Sequence, residues 1–407
     1  GYTEGTVGFG VDALGMLGVK LDSSPDRTGT GLLPTHDDGR AANEYSKLGL
    51  TGKVKISATE LKIGSLIPEL PILKPNDGRI LPQTFQGAQV TSREITDLTL
   101  YGARFRGNSP RNDASMDDMF LNGKAAFTSD RFNFGGGEYT FNDKRTQIGL
   151  WNAQLKDIYS QQFVNLIHSQ PVGDWTLGAN LGFFNGKEDG SALAGDLDNK
   201  TTFALLSAKY GGNTFYVGLQ KLTGDSVWMR VNGTSGGTLA NDSYNASFDN
   251  AKERSWQLRH DFNFAGLGVP GLTLMNRYIH GDNVHNASTT DGSEWGRESE
   301  LAYTVQSGTL KNLNVRWRNG ALGSMAVTML TYPKNLEGSI TIIGEKGTVR
   351  IGGVAVNEIQ IWDFAEPKDY DATVMDASYA TTSVYGFGHP LYYNNVIEVL
   401  RGEAEPE

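Results

Sequence analysis

The chain has 407 residues, with 51 glycines, no cysteine and 20% charged side chains. This composition excludes a disulfide framework and thiolate chemistry, and no run of about eighteen apolar residues is available for a membrane-spanning helix. The net charge of −10 disfavours nucleic acid as a partner, and it is uneven: residues 320–407 hold 5 Lys+Arg and 12 Asp+Glu, which leaves −3 on the first 319.

In chain order, the dominant signal is period-two alternation in segments of about ten residues, separated by loops rich in Gly, Asn, Asp and Ser. Val7, Phe9, Val11, Ala13, Leu17, Val19 and Leu21 share one parity, with Gly8, Gly10, Asp12 and Lys20 on the other. Leu48, Leu50, Val54 and Ile56 predict a second strand, with Lys53 and Lys55 on its polar side. Trp175, Leu177, Ala179, Leu181 and Phe183 alternate after the turn at Pro171–Asp174, and Phe215, Val217 and Leu219 repeat the pattern. Trp256, Leu258, Phe262 and Phe264 oppose Arg259 and Asp261; Leu272, Leu274 and Tyr278 oppose Arg277; Leu313, Val315 and Trp317 oppose Arg316 and Arg318.

Two architectures satisfy this pattern. A soluble β-rich binding protein packs its apolar face inward. A wide barrel in lipid turns that face outward, lines water with its charges and gathers aromatics near strand ends. The polar face is rich in glycine and arginine, and Trp151, Trp175, Trp256, Tyr278, Tyr303 and Trp317 fall near strand ends on the side read as apolar. Short turns at 171–174 and 266–271 alternate with long polar stretches at 184–200, 222–253 and 280–297, as a membrane barrel requires. The reading is therefore all-β, an antiparallel transmembrane β-barrel with a C-terminal α+β fragment. No basic-then-apolar leader opens the sequence, so either a signal peptide was removed or the sequence begins inside a gene, and the second is expected.

Residues 1–319 resemble the OprD-type outer-membrane carboxylate channels. The resemblance is carried by Gly5-Thr6-Val7-Gly8-Phe9-Gly10-Val11-Asp12-Ala13, Leu155-Lys156-Asp157-Ile158-Tyr159 and Gly268-Val269-Pro270-Gly271-Leu272-Thr273, then by Val305-Gln306-Ser307-Gly308 and Leu313-Asn314-Val315-Arg316-Trp317-Arg318. It implies a monomeric eighteen-stranded barrel, a row of basic side chains down one inner wall, and facilitated diffusion of small carboxylates, amino acids among them. The chain holds an incomplete set of those strands and lacks the terminal aromatic strand, so two unpaired edges in lipid are expected.

The basic row is also argued from parity. Arg259, Arg277, Arg316 and Arg318 lie on the polar face of neighbouring strands, and Lys53 and Lys55 extend it. At about 5 Å and an effective dielectric of 20 to 80, each cation attracts a carboxylate by about 1 to 3 kcal/mol, enough to guide a solute without trapping it. The opposing reading is that these cations pair with inward acids such as Asp261, Asp12 or Glu300. Asp225 is a further candidate acid, positioned to meet a substrate amino group, although its place in Gly224-Asp225 equally fits a plain turn. Residues 67–84 contain Pro68, Pro71, Pro75 and Pro82 and cannot form a central strand, because proline has no ladder donor. The resemblance implies that this loop folds into the lumen, with Pro68, Leu70, Pro71 and Ile72 narrowing it; Ile67, Leu70 and Ile72 suit poorly a loop in water.

Residues 320–407 change pattern. Gly338–Gly353 reads as two strands and a turn, Glu358–Trp362 as another strand, and 380–403 as a loop and helix with Val396, Val399 and Leu400 on one face. With Gly386-Phe387-Gly388-His389-Pro390-Leu391-Tyr392-Tyr393-Asn394-Asn395, this resembles the C-terminal part of Gfo/Idh/MocA dehydrogenases, most closely those oxidising UDP-N-acetyl-glucosaminuronate at C3. The chain is thus expected to be chimeric, with domains at 1–319 and 320–407. An NAD-dependent oxidoreductase is the competing function, but no enzyme and no cofactor is expected here. Gly8 to Ala13, a G-x-G-x-x-A string, lies in an alternating strand and opens no helix, and no Glu-Lys-Pro segment is present.

Overall fold

The computed structural model describes residues 1–21, 28–29, 31–326, 340–344, 346–352 and 358–378. Among them the wall is built by β1 (Val7–Val19), β2 (Glu44–Ile56), β3 (Thr59–Leu66), β4 (Thr84–Ser92) and β5 (Leu98–Ser109). A two-residue pair, β6 (Met119–Phe120) and β7 (Thr128–Ser129), lies in the following loop. The wall resumes with β8 (Phe132–Phe141), β9 (Thr146–Leu155), β10 (Tyr159–Val172), β11 (Trp175–Glu188), β12 (Asp198–Tyr210) and β13 (Asn213–Thr223). It continues through β14 (Arg254–Asn263), β15 (Leu272–Val284), β16 (Gly292–Thr304) and β17 (Asn314–Ala326). Every wall strand pairs antiparallel with its neighbour, and with three later strands they make one 18-stranded sheet.

The alternation predicted from sequence is realised inside out. Phe9 (57% exposed), Leu258 (54%) and Trp317 (62%) stand on the outer surface. Trp256, Tyr278 and Trp295 form an aromatic group there, and Trp175 packs on Tyr210 near the opposite rim. A soluble sandwich would bury such side chains; an outer surface made of them is stable against lipid, with aromatics at the headgroup level. The residues that are buried face inward. Phe85, Phe105, Phe132, Phe134, Trp151, Phe163, Phe184 and Phe203 form the core, together with Leu70, Ile72 and Leu73 of the 67–83 loop and with Trp228, Met229 and Val231 of the 224–253 loop. The hydrophobic core thus fills one side of the barrel interior, where infolded loops meet the wall.

Turns are short at one end and loops long at the other. Between β12 and β13 the chain reverses at Gly211, whose φ of 53° suits a residue without Cβ. The long stretches expected at 184–200 and 280–297 are shorter than read, because β11 runs on to Glu188 and β15 to Val284: inward-facing Phe184 and outward-facing polar side chains keep the ladder past the apolar band. Phe264 leaves β14 and enters a 3-10 turn, Phe264–Leu267, capped by the Asn263 side chain. Two further readings are corrected. Trp151 points into the lumen against Tyr101 and Phe134 rather than to lipid, since β9 buries its odd positions. Ile67 is 37% exposed and follows the outward parity of Ile63, outside the infolded part of its loop.

β17 runs without interruption through position 319 and pairs with β16 as far as Ala326. The predicted tail strands appear as β18 (Ile340–Gly344), β19 (Gly347–Gly352) and β20 (Glu358–Phe364), followed by a single helical turn, Asp371–Val374. β18 pairs with the far edge of β17 through Leu322–Ile343, Gly323–Ile342 and Ser324–Thr341, so the tail extends the barrel sheet. Among the described residues no ladder joins β1 to β17 or β20. The predicted helix around Val396, Val399 and Leu400, the Gly386–Asn395 motif and His389 lie outside the described residues.

Candidate functional site

The interior has two unlike walls. On β8–β12 it is aromatic and covered by loops. On β14–β17 and β1–β3 it carries charge, because the parity that places Trp256, Tyr278 and Trp317 in lipid places Arg259, Arg277, Arg316 and Arg318 inside.

All six predicted cations lie on this charged wall, and their states differ. Arg259 is bidentate on Asp261, at 2.7 and 2.6 Å, and stacks over the Tyr216 ring. Lys53 pairs with Asp12 at 2.7 Å, and both Lys53 and Lys55 face the ring of Tyr2. Arg318 pairs with Glu300 and lies 4.4 Å over Tyr244, whose hydroxyl donates to Glu300. The partners weighed in the sequence reading, Asp12, Asp261 and Glu300, are therefore the ones used. Arg277 is buried against Glu298, an acid that sequence reasoning did not single out. Arg316 is exposed and donates to Asn314 Oδ1. Among the described residues Arg316 and Lys55 form no ion pair.

The proline-containing loop does enter the lumen. Pro68, Leu70 and Ile72 are buried and Pro71 partly so. The loop is fixed to its neighbour: Thr238 Oγ1 donates to the Pro71 carbonyl at 2.8 Å, the Ser235 amide to the Lys74 carbonyl at 2.9 Å, and Gln83 Nε2 to the Asn232 carbonyl at 2.9 Å. A cavity of about 260 Å³ remains between this loop and the wall, lined by Glu69, Pro71, Lys74, Glu138 and Thr238. A second, of about 610 Å³, opens towards the short-turn end and is lined by Lys209, Arg259, Asp261 and Glu300. Lys74, Glu138 and Lys47 were missed by sequence reasoning. Lys47 had a signal, since it shares the parity of Lys53 and Lys55 on β2; its ammonium donates to the carbonyls of Pro82, Ser109 and Pro110. Lys74 had none, because a loop has no period.

Asp225 is not beside the wall cations. It is exposed and pairs with Lys252 at 2.7 Å, which holds its carboxyl below the usual range. The infolded 224–253 loop instead brings in Asp242, whose carboxyl burial raises to about 6 despite a hydrogen bond from Ser247 and the nearby Arg230. Glu253 is pushed up to about 9, by burial first and then by the Glu294 carboxylate beside it.

A narrowed, charge-lined passage inside an apolar-coated sheet is the geometry of a diffusion channel, and comparison with known proteins agrees. Residues 1–330 match the profile of the outer membrane porin, OprD family. Residues 282–407 match that of the oxidoreductase family, C-terminal alpha/beta domain, and the two matches overlap at 282–330. The chain is 63% identical over 321 residues to the porin-like protein GalP of Pseudomonas putida, covering 79% of this chain and 77% of that one. It is similar to a BenF-like porin of Pseudomonas fluorescens, with 72% identity, a TM-score of 0.79 and coverage of 80% and 84%. The glucuronate complex of OccK2 (OpdF) from Pseudomonas aeruginosa aligns with 61% identity, a TM-score of 0.74 and coverage of 80% and 83%. The chain belongs to the OprD family of outer-membrane porins: it is a β-barrel channel protein of the bacterial outer membrane.

Proposed function

We propose that this channel passes small carboxylate solutes by facilitated diffusion, guided along Lys53, Lys55, Arg259, Arg316 and Arg318 on the wall that Arg277 braces, and past the Pro68, Leu70, Pro71 and Ile72 constriction. The observation that carries the reading is the gathering of inward arginines on β14, β15 and β17 of one wall, opposite a loop-filled apolar wall. A solute is thereby confined to the charged side. The roles divide by pairing. Arg316 and Lys55 present unneutralised charge, while Arg259 and Arg318 keep guanidinium N–H groups beyond those their acids take, and Arg277 holds structure. The relative crystallised with glucuronate supports a carboxylate as the solute class. In planar bilayers, reversal potentials in gradients of sodium glucuronate should favour the anion; equal permeation of glucuronate and a neutral sugar of its size would end the proposal. The same reading makes the barrel a monomer, embedded in lipid with lipopolysaccharide around its long loops, and needs no cofactor.

For the tail, the proposal is a division at 319/320, with a barrel segment joined to part of a domain of the UDP-N-acetyl-glucosaminuronate dehydrogenase type. The support is the second profile match and the charge shift. Such a fragment without a nucleotide-binding fold has no turnover. Peptide mass mapping across Asn319–Gly320 of the purified protein tests the junction, and NAD-dependent oxidation of a UDP-sugar uronate would refute the assignment.

A further inference from the structure

Outside the lumen, one part of the lipid-facing surface departs from the expected pattern. On the outward parity of β11–β14, side chains in transverse register form an apolar row, Trp256–Leu219–Ala204–Leu181, continued by Leu166 and Ile148 on β10 and β9. One step closer to the long-loop end, the next row reads Asp282–Arg254–Lys221–Thr202–Phe183. Lys200 and Lys187 follow at the next two steps, Lys200 opposite Asn185 and Lys187 opposite Asp198.

Two features of this region have no internal explanation. Lys221 stands directly opposite Arg254 on adjacent strands, an arrangement that destabilises a sheet by charge repulsion. Asp282 answers only Arg254, at 2.7 Å; among the described residues Lys187, Lys200 and Lys221 form no ion pair. Beneath the cations the wall is grooved, because β12 presents only Thr202 and Ala204 between Leu181 and Phe183 on one side and Leu219 and Trp256 on the other. The groove has a volume of about 1010 Å³, and Lys221, Arg254 and Asp282 lie at its upper end.

We infer that this groove and its cations bind a phosphorylated glycolipid of the outer leaflet, lipopolysaccharide, with an acyl chain lying over Thr202 and Ala204 and its phosphates on Lys221, Lys200 and Arg254. Charge complementarity decides the occupant. A cluster of cations at the polar rim, in which Lys200 and Lys221 form no ion pair among the described residues and Arg254 shares only Asp282, lies directly above an apolar trough as narrow as one small-residue strand and matches an anionic headgroup with its attached chain. A second protein would need apolar relief complementary to a trough and anions at one end only. The inference rests on the membrane orientation given to this surface in the proposed function, but not on the solute, and the two fail separately: the site lies on the outer wall, so its loss leaves conduction intact.

The test uses the purified full chain in neutral detergent, with native mass spectrometry after addition of lipopolysaccharide, the same lipid enzymatically dephosphorylated, or phosphatidylcholine. Retention of lipopolysaccharide should exceed that of the dephosphorylated form at least tenfold and fall with salt. K200Q/K221Q should lose at least tenfold in retention while K200R/K221R keeps it, with glucuronate conductance unchanged in both. Equal retention of phosphorylated and dephosphorylated lipid by the unaltered protein would overturn the inference without reliance on any variant. So would undiminished retention by a conducting K200Q/K221Q channel.

Discussion

The Arg277 guanidinium on β15 and the Glu298 carboxylate on β16 form an ion pair that is 9% and 2% exposed, and it holds the 224–253 loop inside the barrel. Arg277 donates to Glu298 Oε2 through Nε at 3.0 Å and also through Nη2, and its Nη1 reaches the Asp242 carbonyl at 2.8 Å. Glu298 Oε1 accepts the Tyr244 amide at 2.8 Å. Both charges thus spend their remaining hydrogen-bonding capacity on the backbone of the 224–253 loop, which couples lumen electrostatics to the width of the passage.

Breaking this pair by R277M leaves a buried, uncompensated carboxylate, which costs about 3 to 5 kcal/mol in comparable sites. The loop should detach. Single-channel recording is expected to show a larger, noisier conductance and thermal unfolding a lower midpoint; a quiet channel of unaltered conductance would show that the pair does not anchor the loop.

Removing unpaired charge should act on passage rather than stability. R316Q and K55Q each remove a cation without leaving an acid behind, so folding should be unaltered within about 0.5 kcal/mol, as for ordinary surface changes. Half-saturating glucuronate in uptake assays should rise about threefold to tenfold for R316Q, about 0.7 to 1.4 kcal/mol. R259Q, which strands Asp261, should lower anion selectivity further.

Packing under the constriction gives a third test. Leu73 is 2% exposed within the lumen core, next to Leu70 and Ile72. L73A should destabilise the protein by about 2 to 5 kcal/mol and widen the passage as the loop loses its seat. Permeation of uronate oligomers faster than through the unaltered protein is the readout, and an unchanged rate would show that Leu73 does not set the width.

The infolded loop should also respond to pH. The Asp242 carboxyl lies at about 6, above the unfolded carboxylate value, and Glu253 is displaced further in the same direction by burial and by Glu294. The docked state therefore binds more protons than the released one, so docking is strongest at low pH and weakens as pH rises, first through about 6 for Asp242 and later for Glu253. Loop-dependent current noise should grow between pH 5 and pH 8, and D242N should flatten the first part of that rise. Noise that falls with pH would reverse the sign and refute the assignment.

Much of the wall was legible because a strand has a two-residue period: once Trp256 and Leu258 are assigned to lipid, Arg259 must face water, and no tertiary information is required. That residues 67–84 form no central strand was legible from Pro68, Pro71, Pro75 and Pro82, while their infolding was expected from the family resemblance. Trp151 was misread because composition alone does not say which parity of β9 is buried; the infolded loops decide it by offering an apolar partner inside. The ion pairing of Arg277 with Glu298, and the hydrogen bonding of Lys74 to the backbone of Ser235 and Gly237, depend on contacts between segments far apart in sequence, for which periodicity carries no signal.

The sequence by itself determined that this chain is built of two-faced strands, since alternation is a local property of the backbone, while loop lengths and the family resemblance turned the apolar face outward. Only the tertiary structure decided which cations stay free to meet a solute, where the loops narrow the passage, and that the tail strands extend the wall at β17. Those outcomes follow from closure of long loops and long-range pairing, where burial and neighbouring charge, rather than residue type, set each side chain's state.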